Sequence, residues 1–126
     1  MSEMQQRDTD PTLRLWAGGG IGHFQGVQWK LADLSTEAAA AELLTYRAAW
    51  SHEGGPEDFR RYAAMCKLFS AKMARAHCAE AVQVMGAMGL EETSYPAKYY
   101  RDAKVMEVCQ GTSEQQKLAL IEELAI

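Results

Sequence analysis

The residues equipped for chemistry gather in two stretches, Tyr99-Tyr100-Arg101-Asp102-Ala103-Lys104 and Gln110-Gly111-Thr112-Ser113-Glu114. In the second, a glycine-containing turn runs into two hydroxyls, so unpaired backbone N–H groups and a positive helix end would face an anion or a phosphate. A plain capped helix start reads the same residues equally well. The first stretch reads as an amphipathic helix, with Arg101 and Asp102 paired to each other or to a neighbouring helix. Gly18-Gly19-Gly20-Ile21-Gly22 is glycine-rich, yet no strand precedes it and no Lys-Ser or Lys-Thr follows; it meets neither nucleotide fingerprint and is expected to be a linker. His23, His52 and His77 lie far apart without a ligand pair, and no metal site is expected. Cys66, Cys78 and Cys109 are an odd number at spacings that fit no zinc pattern, so free and mostly buried thiols are expected. His77 is a poor base for Cys78, because adjacent helical positions diverge by about 100°.

The elements that must position these groups follow from composition and period. The chain has 126 residues, 48% apolar and 24% charged, which suits one soluble domain with a core. Thirteen Lys and Arg against 17 Asp and Glu leave a net charge of -4, which argues against a nucleic-acid binder. No apolar run approaches the roughly 20 residues that span a bilayer, and Met1 to Asp10 is polar with no apolar signal core; a cytoplasmic protein is expected. Residues 1–23 read as a flexible lead-in and Gly-rich loop with a helical stub over Pro11 to Ala17, and residues 24–126 as a helical bundle.

From about Phe24 to Trp50, Val27, Leu31, Leu34, Ala38, Ala41, Leu44 and Ala48 recur at the helical period. Gly55-Pro56 restarts a helix that runs to about Met85, with Met65, Leu68, Phe69, Met73, Ala76 and Val84 as its apolar stripe among interleaved alanines. Ser94-Tyr95-Pro96 opens a shorter helix. Thr112-Ser113-Glu114-Gln115-Gln116 offers two overlapping capping boxes, Thr112 with Gln115 or Ser113 with Gln116, ahead of a final helix. No stretch alternates with period two. The expected fold is all-α, with three substantial helices and one short one.

Five blocks, in order, resemble the C-terminal helical-bundle domain of the acyl-CoA dehydrogenase family: Phe24 to Asp33, Leu43 to Trp50, Ala81 to Val84, Tyr99 to Lys104 and Gln110 to Glu114. The resemblance covers about Arg14 to Ile126. It implies a four-helix bundle and an FAD-dependent desaturation of acyl-CoA thioesters, in which a carboxylate takes the α proton. The family's N-terminal helical and middle β domains have no counterpart in this sequence. Too few residues precede Arg14 for the family's first bundle helix, so the bundle is expected to be incomplete and completed by self-association or by a partner.

Residue by residue, the resemblance implies that Arg14 and Gln25 approach the FAD diphosphate and adenosine, that Gln83 and Gly86 contact flavin across a dimer, and that Thr112 and Glu114 lie near the adenosine end. Ala17, Met85 and Ala87 depart from the family pattern. Gly111 falls beside the thioester. Gln110 stands where the family's usual catalytic base is Glu, and an amide has no proton acceptor that ionises near neutral pH. Two readings follow. The chain supplies an FAD-binding and oligomerisation portion of a dehydrogenase system to a second copy or to a dehydrogenase-like partner subunit, with acyl-CoA as ligand; or it is a vestigial oligomerisation module without cofactor.

Overall fold

A computed structural model describes residues 20–123 and contains no strand among them. A 3-10 turn at Ile21–His23 leads into α1 (Gln25–Ser51). A second 3-10 turn, His52–Gly54, joins it to α2 (Pro56–Met85). A third, Gly86–Leu90, precedes α3 (Tyr95–Val108), and α4 (Ser113–Glu123) ends the described chain. The all-α expectation holds. The expected short helix is α3, with 14 residues against 27 and 30 for α1 and α2. The expected stub at Pro11 to Ala17 lies outside the described residues.

The helix boundaries have local causes. Gly55, at φ 120°, hands over to Pro56 in the first turn of α2, where the missing N–H of proline costs nothing. Ser94 caps α3 by accepting from the Ala97 N–H at 3.3 Å. Of the two overlapping capping boxes, the first forms: the Thr112 N–H donates to Gln115 Oε1 at 2.8 Å, and the Gln115 N–H to Thr112 Oγ1 at 3.3 Å.

The chain divides into two compact units, residues 1–35 and 36–126, with the division inside α1. In the first, the His23 N–H closes the 3-10 turn on the Gly20 carbonyl at 2.9 Å, and Gln28 Nε2 donates to the Gly22 carbonyl at 3.1 Å. In the second, α2 is the central element and packs against α3 and α4. His77 Nε2 meets Glu37 Oε2 at 3.0 Å, and Thr45 Oγ1 lies 3.3 Å from Cys66 Sγ, so the rear of α1 is tied to α2 at two levels.

The buried positions are mostly alanines: Ala41 and Ala48 in α1, Ala64 and Ala71 in α2, Ala97 and Ala103 in α3, joined by Met85. Small side chains let helix backbones approach closely, and burial concentrates at those contacts. The larger residues expected as core fare differently. Met65, Leu68, Phe69 and Met73 are half-buried, and Leu31, Leu34, Ala38 and Ala76 are exposed. Periodicity located the apolar faces without specifying what covers them. The thiols need a similar correction: Cys66 and Cys78 are half-buried and Cys109 is exposed. Burial first, then the Asp102 charge, pushes the Cys78 thiol pKa up, which suits an inert packing residue.

Candidate functional site

The expected site residues at positions 110–114 form a turn fixed from three sides. Cys109, extended at φ -68° and ψ 149°, ends α3. Gln110 follows at φ 56°, the single non-glycine residue with positive φ among the described residues. A left-handed conformation costs a residue with a Cβ roughly 1–2 kcal/mol, so surrounding contacts must hold it. Gln116 Nε2 donates to the Gln110 carbonyl at 3.3 Å. Lys67, reaching across from α2, donates to the Gly111 carbonyl and to the Glu107 carbonyl. Gly111 sits at φ 94°, a backbone conformation that favours glycine, and a Cβ there would displace the end of the Gln116 side chain, 2.7 Å away. The Gln110 side chain is exposed and makes no hydrogen bond among the described residues. The turn thus presents a free amide on a constrained backbone.

Beside it, α2, α3 and the start of α4 enclose a cleft of about 610 Å³. Lys72 and Arg75 enter it from α2, Lys104 from α3 and Lys117 from α4, against two carboxylates, Glu107 and Glu114. Thr112 and Ser113 line the same space. Glu107 is held by Lys104 at 2.6 Å and by Arg75 at 2.9 Å, and these two cations, Lys104 foremost, keep its carboxyl below the usual range. Glu114 is held below that range by its own backbone N–H first and by the Thr112 hydroxyl second. Its carboxylate therefore occupies part of the α4 N-terminus, the capped-start reading of these residues. Lys72 makes no hydrogen bond or ion pair among the described residues and remains available to an anion.

The remaining expected contacts lie elsewhere. Gln83, exposed, and Gly86, at φ 63° and ψ -144°, mark the far end of α2. That backbone region is essentially restricted to glycine. Gln83 is sixteen residues beyond Lys67, about 24 Å along the helix at roughly 1.5 Å per residue. One chain does not bring Gln83 and Gly86 together with Thr112 and Glu114. Gln25 is exposed in the first unit, and Arg14 lies outside the described residues. At the C-terminal end of α2 is a second cleft, about 350 Å³, lined by Val82, Leu90, Ala97 and Arg101; Tyr100 borders both clefts.

The sequence reading missed Lys67, Lys72, Arg75 and Lys117. A signal was present in α2, which carries Arg60, Arg61, Lys67, Lys72 and Arg75 between Asp58 and Glu80 with no acid among them. Of these, Arg60 and Arg61 form surface pairs with Glu122 and Asp58, while Lys67, Lys72 and Arg75 turn to the α3–α4 side. Among the described residues no cluster of His, Cys, Asp and Glu is arranged to hold a metal ion, and no helix is long and apolar enough to cross a membrane.

Comparison with known proteins matches residues 14–125 to the model of the acyl-CoA dehydrogenase C-terminal domain. A probable acyl-CoA dehydrogenase of Bacillus subtilis is 37% identical over 107 residues, which are 85% of this chain and 28% of that protein. The mitochondrial short-chain specific acyl-CoA dehydrogenase of Sus scrofa is 38% identical over 103 residues, 82% of this chain and 25% of that protein. Among solved structures, butyryl-CoA dehydrogenase from Megasphaera elsdenii superposes with a TM-score of 0.84 at 31% identity, over 99% of this chain and 32% of that one. The chain thus spans between a quarter and a third of the length of these relatives.

Proposed function

The chain belongs to the acyl-CoA dehydrogenase family through that family's C-terminal domain, and from this premise we propose that it forms one wall of a flavin pocket and one subunit-contact face in an acyl-CoA-desaturating assembly. The carrying observation is the basic cleft. Four cationic side chains and two hydroxyls converge beside the Gln110 turn in a chain whose net charge is -4.

These residues fit a dinucleotide. Lys72 and Lys117 suit phosphate oxygens, and the Ser113 hydroxyl supplies a neutral donor, the Thr112 hydroxyl being engaged by Glu114. Gln83 and Gly86 lie too far along α2 to share that contact, which supports their serving the flavin of a second copy. FAD supplies the hydride acceptor when bound. The chain's own part is to bind and orient. The free Gln110 amide donates to a thioester carbonyl on the constrained turn, and it takes no α proton, because it has no ionisable acceptor. The base for a complete reaction comes from elsewhere in the assembly.

A second reading, an oligomerisation module without cofactor, is favoured by one observation: Glu114 already satisfies part of the α4 N-terminus. Absorbance spectra separate the two. The purified chain, alone or mixed with the products of its genomic neighbours, is passed over a sizing column after addition of FAD. A flavin band co-eluting with an oligomeric species is expected. The double substitution Lys72→Glu/Lys117→Glu should weaken retention about tenfold, the scale of losing charge-assisted contacts. No flavin band in either sample overturns the pocket reading.

A further inference from the structure

We propose that Lys67 is the positioning residue of the α3–α4 turn, holding Gln110 in its left-handed conformation from a helix forty residues upstream. Three observations converge on it. Gln110 carries a Cβ at φ 56°, where glycine is the usual occupant after a helix end. The Lys67 ammonium reaches both the Glu107 carbonyl, in the last turn of α3, and the Gly111 carbonyl, just past the turn. One cation therefore fastens both sides of the strained residue and complements the negative end of α3. The same segment of α3 is held a second time from α2. Arg75, eight residues on and on the same face of α2, holds the Glu107 carboxylate, so α2 grips Glu107 by backbone and by side chain.

The consequence is that the direction of the amide at position 110 is set by α2. Removal of the Lys67 ammonium leaves Gln110 free to leave the left-handed region, and the Gly111 carbonyl loses its donor. The relevance of this to substrate rests on the reading that position 110 faces the thioester; the grip on the turn does not.

A double-mutant cycle on the full chain tests the proposal, with strain at position 110 as the second variable. Amide hydrogen exchange is measured at Cys109 and Gln116, whose N–H groups bond on either side of the turn. The three-bond HN–Hα coupling of residue 110 reports φ. Lys67→Met is expected to speed exchange at both amides by at least about tenfold, the loss of a charge-assisted hydrogen bond, and to shift the coupling away from its left-handed value. In the Gln110→Gly background, where the left-handed state carries no Cβ penalty, the same substitution should change exchange by less than about threefold. Equal factors in the two backgrounds, or an unmoved coupling in Lys67→Met, would show a simple tether between helices and overturn the proposal. Where Lys67→Met lowers helicity, Lys67→Gln goes through the same cycle under the same criteria. Coupling found in a chain that never retains flavin supports Lys67 in this role and removes only the pocket reading. Flavin retained without coupling removes only the role of Lys67.

Discussion

The α3–α4 turn and the outward face of α1 represent two opposite ways of ending a structure. At the turn, residues from three helices close on a few backbone atoms: Lys67 from α2, Glu107 from α3, and Gln115 and Gln116 from α4. Along α1, Ala41 and Ala48 are buried, while Leu43, Tyr46 and Trp50, on the opposite side of the helix, are 69%, 63% and 69% exposed. A helix apolar on both faces is stable only with cover on both. The turn is closed by the chain's own contacts, whereas the α1 face leaves large side chains uncovered by them among the described residues. Trp50 has the Arg47 guanidinium 6.0 Å from its ring centre, and Arg47 also stacks on Tyr62 at 4.5 Å. Tryptophan, tyrosine and arginine gathered on an exposed face have the composition of an interface centre.

The largest expected effect falls on the α1 face. Leu43→Ser combined with Trp50→Ser should leave helicity unchanged and weaken self-association about a hundredfold or more, taking roughly 2 kcal/mol for each central apolar anchor. Sedimentation equilibrium of the two proteins over the micromolar range measures it. A wild-type chain that stays monomeric and well folded at those concentrations would remove the contrast between the two regions altogether.

The next effect is at the turn. Gly111→Ala places a Cβ 2.7 Å from Gln116 Nε2 at a φ of 94°. The end of the Gln116 side chain can swing aside, so the cost lies in the left-handed backbone, and a loss of about 2 kcal/mol in unfolding free energy is expected from urea melts. A loss below about half a kcal/mol would mean that the turn is as adaptable as the open face of α1, and the distinction drawn above would dissolve.

The two regions also differ in how visible they are in the sequence. The capping box of Thr112 and Gln115 was legible because its partners are three residues apart and its chemistry is local. The Gly55-Pro56 start of α2 was legible for the same reason. The left-handed state of Gln110 was not, because Lys67 imposes it from forty-three residues away and glutamine gives no local sign of it. The buried set was half legible. The helical period found the packed face of α2 and of the rear of α1, but Leu31, Leu34 and Ala38 of the same α1 stripe are exposed, and the alanines at the close approaches took the burial expected of Met65, Leu68 and Phe69. Of the implied cofactor contacts, the block at 110–114 falls beside the basic cleft at the middle of α2, whereas Gln83 and Gly86 stand at the C-terminal end of that helix. No local pattern carries that separation; it follows from the length of α2.

The smallest expected effect concerns charge at the turn, and its sign is fixed by the direction of one shift. Lys104 and then Arg75 hold the Glu107 carboxyl below its ordinary value. A carboxyl with a lowered pKa in the folded state stabilises that state fully above the pKa it has when unfolded. The contribution is lost as pH falls through the lowered, folded value. Urea midpoints of the wild-type chain and of Glu107→Gln should therefore differ most at neutral pH and converge on acidification below the ordinary carboxylate range. Both cations are substantially exposed, with side chains 63% and 39% accessible, so the difference should be small and should shrink further as salt is added. The backbone grip of Lys67 on Glu107 and Gly111 does not depend on that carboxylate, so the φ of residue 110 should be the same in Glu107→Gln as in the wild type. A shift in φ there would assign the turn to its carboxylate cluster, making its order dependent on surface charge and no longer fixed by backbone contacts.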